Sequence, residues 1–503
     1  MFPLQIGAPE AFEIVRQTLD RAGYRDQPLR DLLGIARLSD VLDGKGAVPR
    51  ADTPCALGLL ARLFLLGDYV PAEELDRGLA DPAVAAMRTL GLVREEDGAP
   101  EGACFAPVMM APVGDLYFVS DRVSRPDRKP FVAPGDMVFA AITPETGRFL
   151  RLLPPTPCGR LLDLGAGTGV GALIAAASGT AREAVAADIT ARATHFAEFN
   201  RRLNAITNVA AVEGDLYAPV GGAVFDRIIA HPPYVPALKT EWVFRDAGET
   251  GEAITRGVIA GLPTHLAAGG RLYCLTTGLD LKARKLEERV RDWLGGGAAF
   301  DIALIEFDRF TLKNVAADLV LRGQRRAEEG RSLLTGFENF GAEAFIHGLI
   351  VIERHHREKP CITVRKTAGP RTGSAEIEWL LDWSAASVEQ AFTACLLAAR
   401  LRATESFELR IVQRFEEGAL AVSGMNLQTD YPFEAETGVQ PWVVQFLAGC
   451  GRPRSGQELY DDCRGRGLIR GEVSATDFAG LLRLLVDQGF LEMEGFSLPA
   501  AEE

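Results

Sequence analysis

Short apolar runs alternate with amphipathic stretches through the middle of the chain. Most runs are separated by helix-like stretches such as THFAEFNRRLNA (194–205), whose apolar residues lie three and four positions apart. Alternation of this kind predicts a largely parallel sheet covered by helices on both faces. The pattern favours an α/β fold with a doubly wound, seven-stranded domain and an insertion at about 310–343. The predicted strands are RLLDLGAG (160–167), EAVAADI (183–189), AAVEGD (210–215), DRIIAHPP (226–233), GRLYCLTT (270–277), FDIALIEF (300–307) and FIHGLIVIE (345–353).

The two ends of the chain have a different pattern. Residues 1–125 read as mostly helical, and they close with two short helices, an apolar strand and a charged turn, as a winged-helix unit does. The C-terminal end repeats this order in SGQELYDDCRGRG and SATDFAGLLRLLVDQGFLEMEG. We therefore predict three parts: residues 1–125, a central domain over 126–365, and an α+β domain over 366–503 that ends in a winged-helix-like unit. Such units bind DNA or dock proteins, and the sequence leaves both open.

Composition narrows the classes of function. The chain of 503 residues has a formal net charge of −14, a poor electrostatic match for the phosphates of nucleic acid. One basic stretch, residues 353–371, could form a local nucleic-acid face, although a solvated strand end is the simpler interpretation. The cysteines are scattered singly without C-x-x-C pairs, so no metal site is indicated. Neither a signal peptide nor an apolar membrane span is evident, and we expect a cytoplasmic protein.

The first stretch that carries chemistry is LLDLGAGTGVGALIAAA (161–177). A strand is expected to end near Asp163, a glycine turn follows through Gly165, Gly167 and Gly169, and a helix begins. Glycines let the backbone turn sharply and approach a ligand closely. Dinucleotide-binding domains use similar turns. Asp163, however, lies where it can meet a cationic amino-acid tail, which favours S-adenosylmethionine over a dinucleotide.

Acidic residues follow the next two predicted strands. Asp188 ends AVAAD, and a carboxylate at this place in doubly wound folds accepts the ribose hydroxyls of adenosine. The alternative is that Asp188 caps the following helix. Asp215 in VEGDLYAP could receive the adenine amino group while Leu216 packs on the ring, or it could be a surface turn residue.

The fourth strand ends in the turn HPPY (231–234). Ligands of open α/β sheets bind beyond the carboxyl ends of the strands, so this turn is expected to face the reacting group. Pro232 and Pro233 fix the backbone and lack N–H donors, which leaves carbonyls to accept from a substrate N–H. Tyr234 offers a flat face to a planar amide or base.

Together, DLGAGTG, the strand end at Asp188, GD at 214–215 and HPPYV resemble a class I S-adenosylmethionine-dependent methyltransferase with its Rossmann-like fold. The subgroup resembled carries N/D-PP-Y/F and methylates planar nitrogens, and within it the release-factor glutamine methyltransferases are most similar. TPETGRFL (143–150) resembles their PRPETE-type segment. The layout with additional terminal domains is similar to a group of uncharacterised bacterial methyltransferases.

The resemblance implies S-adenosyl-L-methionine as the cofactor and a protein or peptide acceptor. His231, Pro232 and Tyr234 would line the acceptor site. His231 departs from the Asn or Asp of the subgroup: a neutral histidine offers one acceptor nitrogen, a titrating one could act as a general base, and a structural one would mark an inactive site. The residues implied to contact the cofactor are Asp163, Gly165, Ala166, Gly167, Asp188, Ile189, Asp215, Leu216 and His231.

Three functions remain open from the sequence. The first is methyl transfer to a planar nitrogen, a protein side-chain amide above all. The second is adenine methylation of RNA or DNA, because that group of enzymes shares the PP-Y turn. The third is a regulatory protein that binds the cofactor without catalysis.

Overall fold

The computed structural model describes residues 4–47, 55–95, 100–124, 133–321, 326–355, 361–416 and 418–499. The N-terminal region is mainly helical, with a 3₁₀ turn at Leu38–Asp43 and a π-helical turn at Arg62–Leu66. The elements of this region are α1 (Pro9–Arg21), α2 (Asp26–Leu33), α3 (Ala56–Ala61), β1 (Val70–Pro71), α4 (Ala72–Gly78), α5 (Ala83–Thr89), β2 (Ala103–Cys104), β3 (Val108–Val113) and β4 (Leu116–Asp121). Strand β1 pairs with β2, and β3 pairs with β4, both antiparallel.

The central region alternates helices and strands as its hydrophobic pattern predicts. Each of the seven apolar runs forms a strand, from β5 to β11. The elements are α6 (Pro144–Leu152), β5 (Cys158–Leu164), α7 (Val170–Ala177), β6 (Ala181–Asp188), α8 (Ala191–Leu203), β7 (Val209–Glu213), β8 (Phe225–Ala230), α9 (Ala253–Ala260), α10 (Leu262–His265), β9 (Leu266–Leu281), α11 (Leu286–Trp293), β10 (Phe300–Phe310), α12 (Leu312–Leu321), α13 (Ala327–Asn339) and β11 (Ala342–Arg354).

The C-terminal region adds strands and helices to this framework. Its elements are β12 (Thr363–Ala368), α14 (Ser374–Ser387), α15 (Phe392–Ala398), β13 (Arg400–Ala403), β14 (Phe407–Glu416), β15 (Ala419–Thr429), β16 (Phe433–Gly438), α16 (Pro441–Ala448), β17 (Arg454–Ser455), α17 (Gly456–Gly465), α18 (Ala475–Asp487) and β18 (Leu491–Met493). A small sheet has the order β17-β13-β18.

One large mixed sheet organises the molecule. Its order is β14-β15-β16-β12-β10-β11-β9-β8-β5-β6-β7. Strands β5 to β9 pair in parallel where they are neighbours, whereas β11 is antiparallel to both β9 and β10. The α/β prediction is confirmed, and the sheet continues past the seven predicted strands because β12 pairs with β10 and β16 pairs with β12.

The two predicted domain boundaries can be compared with the described residues. The boundary at 125/126 lies outside the described residues, whereas the boundary at 365/366 lies inside β12. The division into three parts and the winged-helix character of both ends stay predictions. In the part of the chain that the structure describes, no helix is long and apolar enough to cross a membrane.

The N-terminal region packs on α8, the helix that follows β6. Asn200 on α8 is fully buried, and its amide exchanges hydrogen bonds with the backbone of Val119 in β4 at 2.7 and 3.0 Å. The rings of Phe12 and Phe199 meet edge to face at 5.0 Å between centroids. Because α8 begins directly after the loop at Asp188, this packing supports one side of the site described below.

Candidate active site

A cavity of about 560 Å³ opens at the carboxyl ends of β5, β6, β7 and β8. This is the edge where open α/β sheets bind ligands, and the volume is typical of small-molecule sites. Every residue that the sequence nominated lies along its wall: Asp163, Gly165, Ala166, Gly167, Asp188, Ile189, Asp215, Leu216, His231, Pro232 and Tyr234.

The turn between β5 and α7 forms the floor of the cavity. Gly165, Gly167 and Gly169 have φ values of 69°, 54° and 78°, a left-handed conformation that favours glycine. A Cβ added to Gly165 or Gly167 would meet no protein atom within 4 Å. The turn therefore presents bare backbone with open space beside it, as close approach of a ligand requires.

Asp163 is buried beneath this turn. Its Oδ2 accepts a hydrogen bond from the backbone N–H of Ala172 at 3.0 Å, which ties the end of β5 to the first turn of α7. Burial raises the pKa of the Asp163 carboxyl to about 7, and the nearby Asp188 adds to the rise. A positively charged ligand near this carboxyl would favour its ionised form.

Asp188 joins the end of β6 to the glycine turn. Its Oδ2 accepts from the Gly167 N–H at 3.0 Å, and its Oδ1 accepts from the N–H and hydroxyl of Thr190 at 3.0 and 3.2 Å. Burial raises the pKa of Asp188, and these hydrogen bonds oppose the rise. The N-cap of α8 is Thr190, whose hydroxyl accepts from Ala193, so Asp188 is not the cap that the alternative interpretation expected.

Asp215 and Leu216 follow β7 on the same side of the cavity. Asp215 is exposed, and Leu216 has a φ of 47°, which is uncommon outside glycine. The Leu216 side chain packs closely on α9, where a Cβ on Gly257 would lie 2.5 Å from Leu216 Cδ1. The Leu216 side chain is thus held against α9 while its backbone is strained, and strained residues are commonly found at functional sites.

The HPPY turn forms a further part of the cavity wall. The His231 ring lies 5.5 Å from the Phe149 ring and 5.9 Å from the Tyr234 ring, the latter nearly parallel at 23°. Burial, together with the nearby His347, lowers the pKa of His231 to about 4. The imidazole is therefore neutral near pH 7. Burial, followed by the charge of Glu145, raises the pKa of the Tyr234 hydroxyl to about 12.

A polar cluster behind Tyr234 was not identified from the sequence. It consists of Glu145 and Arg148 on α6, Asp308 on β10 and His347 on β11. His347 Nδ1 lies 3.1 Å from Asp308 Oδ2, and Arg148 Nη1 lies 3.5 Å from the same oxygen. His347 Nε2 lies 3.6 Å from Glu145 Oε2, and both atoms are buried with no hydrogen-bond partner among the described residues.

Glu145 connects this polar cluster to the cavity, because its side chain lines the wall. It stands in the first turn of α6, which Thr143 caps at the N-terminus and Pro144 begins. The segment TPETGRFL carried a signal as part of the family resemblance, but nothing in the sequence linked it to residues 308 and 347.

Apolar side chains surround the mouth of the cavity. Phe139, Ile189 and Val243 line it and are all exposed. The rings of Phe139 and Phe244 lie 5.1 Å apart, and the Val243 N–H donates to the carbonyl of Gly135 at 2.9 Å. An exposed apolar rim around the cavity suits an acceptor that belongs to a larger molecule.

The basic stretch 353–371 is only partly within the described residues, since 356–360 lie outside them. Arg354 donates to the carbonyl of Leu266 at 2.7 Å, Arg365 is paired with Asp280, and Lys366 is paired with Asp487 at 2.7 Å. Because these three basic side chains already have partners within the protein, they do not form a free basic face in the described part of the stretch.

Comparison with known proteins identifies the domain that carries the cavity. Residues 137–292 match the family model "Methyltransferase small domain". The ribosomal protein uL3 glutamine methyltransferase of Bradyrhizobium diazoefficiens is 31% identical over 171 residues, which are 31% of this chain and 53% of that protein. The release factor glutamine methyltransferase of Escherichia coli (strain K12) is 37% identical over 86 residues, 17% of this chain and 31% of that protein. The chain thus spans about half the length of these relatives or less.

A solved structure, the ribosomal protein L11 methylase of Lactobacillus delbrueckii subsp. bulgaricus, is 21% identical, with a TM-score of 0.24 over 40% of this chain and 72% of that one. At this TM-score no functional argument follows from the superposition. The family match falls on the segment whose motifs carried the resemblance, and the two relatives are named as glutamine methyltransferases, so the resemblance is confirmed. Residues 137–292 of the chain are thus similar in sequence to the methyltransferase small domain.

Proposed function

We propose that the protein transfers a methyl group from S-adenosylmethionine to a planar nitrogen, the side-chain amide of a protein. The observation that carries the proposal is the convergence of the glycine turn, Asp163, Asp188 and the HPPY turn on one cavity. The two relatives described above are named as glutamine methyltransferases that act on ribosomal protein uL3 and on release factors, which supports a protein amide as the acceptor.

The residues of the cavity fit this cofactor. S-adenosylmethionine carries its methyl group on a positively charged sulfur, which activates it for direct transfer. Asp163 would face the cationic amino-acid part, and Asp188 would accept from the ribose hydroxyls alongside its bonds to Gly167 and Thr190. Asp215 and Leu216 would hold the adenine, one by its carboxylate and the other by apolar contact. Ala166 and Ile189 complete this part of the wall.

The acceptor end of the cavity contributes positioning. A neutral His231 provides a nitrogen lone pair that can accept a hydrogen bond from the N–H of the group to be methylated, and Tyr234 provides a flat surface. Pro232 and Pro233 have no N–H, so this turn presents carbonyl acceptors. The Glu145 carboxylate, which also lines the cavity, adds a second hydrogen-bond acceptor near Tyr234. Because the lone pair of an amide nitrogen is delocalised into its carbonyl, the site would have to hold this nitrogen in line with the methyl group. As the N–C bond forms and the C–S bond breaks, S-adenosylhomocysteine would be released, and the nitrogen would lose one proton to a hydrogen-bond acceptor of the site or to water.

The HPPY turn would also suit adenine, but the charge of the chain argues against methylation of nucleic acid. The net charge is −14, and Arg365 and Lys366 are paired with carboxylates. We propose a protein acceptor, a cytoplasmic location where such acceptors of the translation apparatus occur, and packing or docking roles for residues 1–125 and 366–503. Fractionation of cells should place the protein with the soluble proteins, and recovery in the membrane fraction would contradict the location.

The experiment has a binding arm and a transfer arm. Calorimetry measures the affinity for S-adenosylmethionine, and transfer of a labelled methyl group is measured on purified uL3, a purified release factor and a total protein extract, with and without nuclease. We expect cofactor binding and a labelled protein whose modified glutamine is located by mass spectrometry. Binding without any labelled product would favour the regulatory alternative, and label lost on nuclease treatment would favour nucleic acid.

Three variants locate the two halves of the site. Asp188→Ala removes a charged hydrogen-bond acceptor, so we expect cofactor affinity to fall by about 10- to 100-fold. Glu145→Gln should keep cofactor affinity and lower kcat/KM for the acceptor. The control Glu213→Ala changes an exposed carboxylate at the end of β7, beside Asp188 in the sheet, and should affect neither. Unchanged cofactor affinity in Asp188→Ala would overturn the assignment.

A further inference from the structure

The outer strand of the large sheet, β14, presents a long free edge. It is the terminal strand in the sheet order, and β15 is its only neighbour among the described strands. The strand has ten residues, FELRIVQRFE, most of them exposed. Unpaired backbone donors and acceptors on such an edge are a template for another strand, and natural proteins shorten, charge or cover edges of this kind.

One face of the β14–β15 hairpin is largely apolar and is interrupted on β14 by Gln413. At the base, Phe407 meets Phe490 edge to face at 5.7 Å, and Leu427 is buried in the core. Toward the tip the same face carries Ile411 and then Phe415 opposite Leu420, which are 73% and 64% exposed. The apolar surface therefore runs out of the core into solvent without a covering element among the described residues, which marks an interaction surface.

The sequence of β14 is complementary to itself in the antiparallel direction. With Ile411 of two copies on a two-fold axis, Phe407 lies opposite Phe415, and Glu408 lies opposite Arg414. Each pair occurs twice, because a two-fold interface is isologous. Opposite residues of antiparallel strands project from the same face, so the aromatic pair extends the apolar face and the ion pair forms on the polar face.

The neighbouring registers are disfavoured by like charges. Shifting one copy by two residues in one direction places Arg410 opposite itself. The shift in the other direction places Glu408 opposite Glu416 and Arg410 opposite Arg414. Within a single chain Glu408 lies 3.7 Å from Arg410, so both charges are already held on the polar face. Like charges directly opposite each other destabilise a strand pair, and the register centred on Ile411 avoids them.

We propose that β14 pairs antiparallel with β14 of a second copy of this chain, centred on Ile411, to form a homodimer with a continuous sheet. The edge hydrogen bonds are satisfied in this arrangement, and the exposed apolar faces of the two hairpins join side by side. The edge lies at the opposite end of the sheet order from β5 to β8, so the pairing leaves the cavity open.

The experiment measures the dissociation constant of the full chain by sedimentation velocity over a concentration series. The wild-type chain is expected to be dimeric. Glu408→Arg and Arg414→Glu each turn two attractive pairs into repulsive ones, and each is expected to raise the dissociation constant by about tenfold or more. The double variant Glu408→Arg/Arg414→Glu restores both pairs and is expected to return to within about threefold of the wild type.

Two further variants complete the test. Ile411→Lys places two like charges at the axis and is expected to give a monomer. The control Glu434→Arg makes the same charge change on β16, away from the edge, and is expected to remain dimeric. A monomeric wild type, a dimer that survives Ile411→Lys, or a double variant that stays as weak as the single ones would each overturn the proposal. Thermal melting of every variant verifies that it is folded.

Discussion

His231 is the residue of the proposed acceptor site whose protonation state distinguishes a positioning role from base catalysis. Its pKa of about 4, lowered by burial and by His347, leaves the ring neutral and a poor base near pH 7. We therefore expect His231→Asn, which keeps a hydrogen-bond acceptor, to retain turnover within about tenfold. Loss of a general base would cost about 10²- to 10⁴-fold. We expect the steady-state kcat of the wild type and of the variant to depend on pH in the same way between pH 6 and 8. An inflection present in the wild type and absent from the variant would contradict a positioning role.

The same residue affects stability in acid. Since the folded pKa lies below the ordinary value of 6.5, the unfolded chain takes up a proton first as the pH falls. The contribution of His231 to folding is therefore fully present above about pH 6.5 and is lost between that pH and about pH 4. Denaturant titrations at several pH values should show a smaller acid loss in His231→Asn than in the wild type.

Residues that follow predicted strands were found from sequence because their signals are local. Asp163, Asp188 and Asp215 each stand at or just after an apolar run, and parallel strands bring their carboxyl ends to one edge. The cluster of Glu145, Asp308 and His347 was missed because its members come from three elements far apart in the chain. A histidine inside the apolar strand FIHGLIVIE was the signal available, and it had no partner in sequence.

Among the elements, the seven central strands were predictable because buried parallel strands read as continuous apolar runs. The extension of the sheet by β12, β16, β15 and β14 was not. The hydrophobic pattern of residues 366–440 indicates further α/β structure, but such a pattern does not identify which strands pair with each other. The pairing of β16 with β12 joins residues 434 and 367, and contacts at such separations follow from tertiary packing.

The loop between β8 and α9 holds the HPPY turn at Gly251. This residue has a φ of 76°, and an added Cβ would lie 2.4 Å from the carbonyl oxygen of Tyr234, which also accepts from the Thr277 hydroxyl at 3.1 Å. Gly251→Ala must displace the turn, so we expect kcat to fall by about 10- to 100-fold while cofactor affinity is unchanged. Calorimetry and steady-state kinetics on one preparation separate the two effects.

Gly248 provides the matched control in the same loop. Its φ is also 76°, but an added Cβ would lie at an ordinary 3.4 Å from Ala253 Cβ. Gly248→Ala therefore carries the left-handed strain of about 1–2 kcal/mol without the collision, and it should lower stability more than turnover. Equal loss of kcat in the two variants would mean that backbone strain, and not displacement of Tyr234, controls the turn.

Across the whole molecule, the C-terminal region shares one apolar core with the region that matches the methyltransferase family model. The cluster that contains Leu161 of β5 and Leu275 of β9 also contains Trp383 of α14 and Leu482 of α18. A continuous core of this kind implies that the two regions unfold together. The predicted division at residue 365 concerns architecture, and it need not appear as a separate step of unfolding.

Glu378 on α14 fastens the two regions with polar contacts. It accepts from the Arg271 guanidinium and, at 2.6 Å, from the Tyr273 hydroxyl, both on β9, while Arg271 also pairs with Glu353 at 2.8 Å. Its side chain is 22% exposed. Removing one partner of a buried ion pair costs about 3–5 kcal/mol, and partial exposure reduces this, so Glu378→Ala should lower the free energy of unfolding by about 2–3 kcal/mol.

Asp382, one turn further along α14, is the control for that variant. It lies 3.6 Å from Arg271 but is 66% exposed, so Asp382→Ala should cost less than about 1 kcal/mol. Calorimetric melting should show one transition for the wild type and for both variants, with a clear downward shift only for Glu378→Ala. A second transition that separates from the first in Glu378→Ala would show that the regions fold independently, contrary to a shared core.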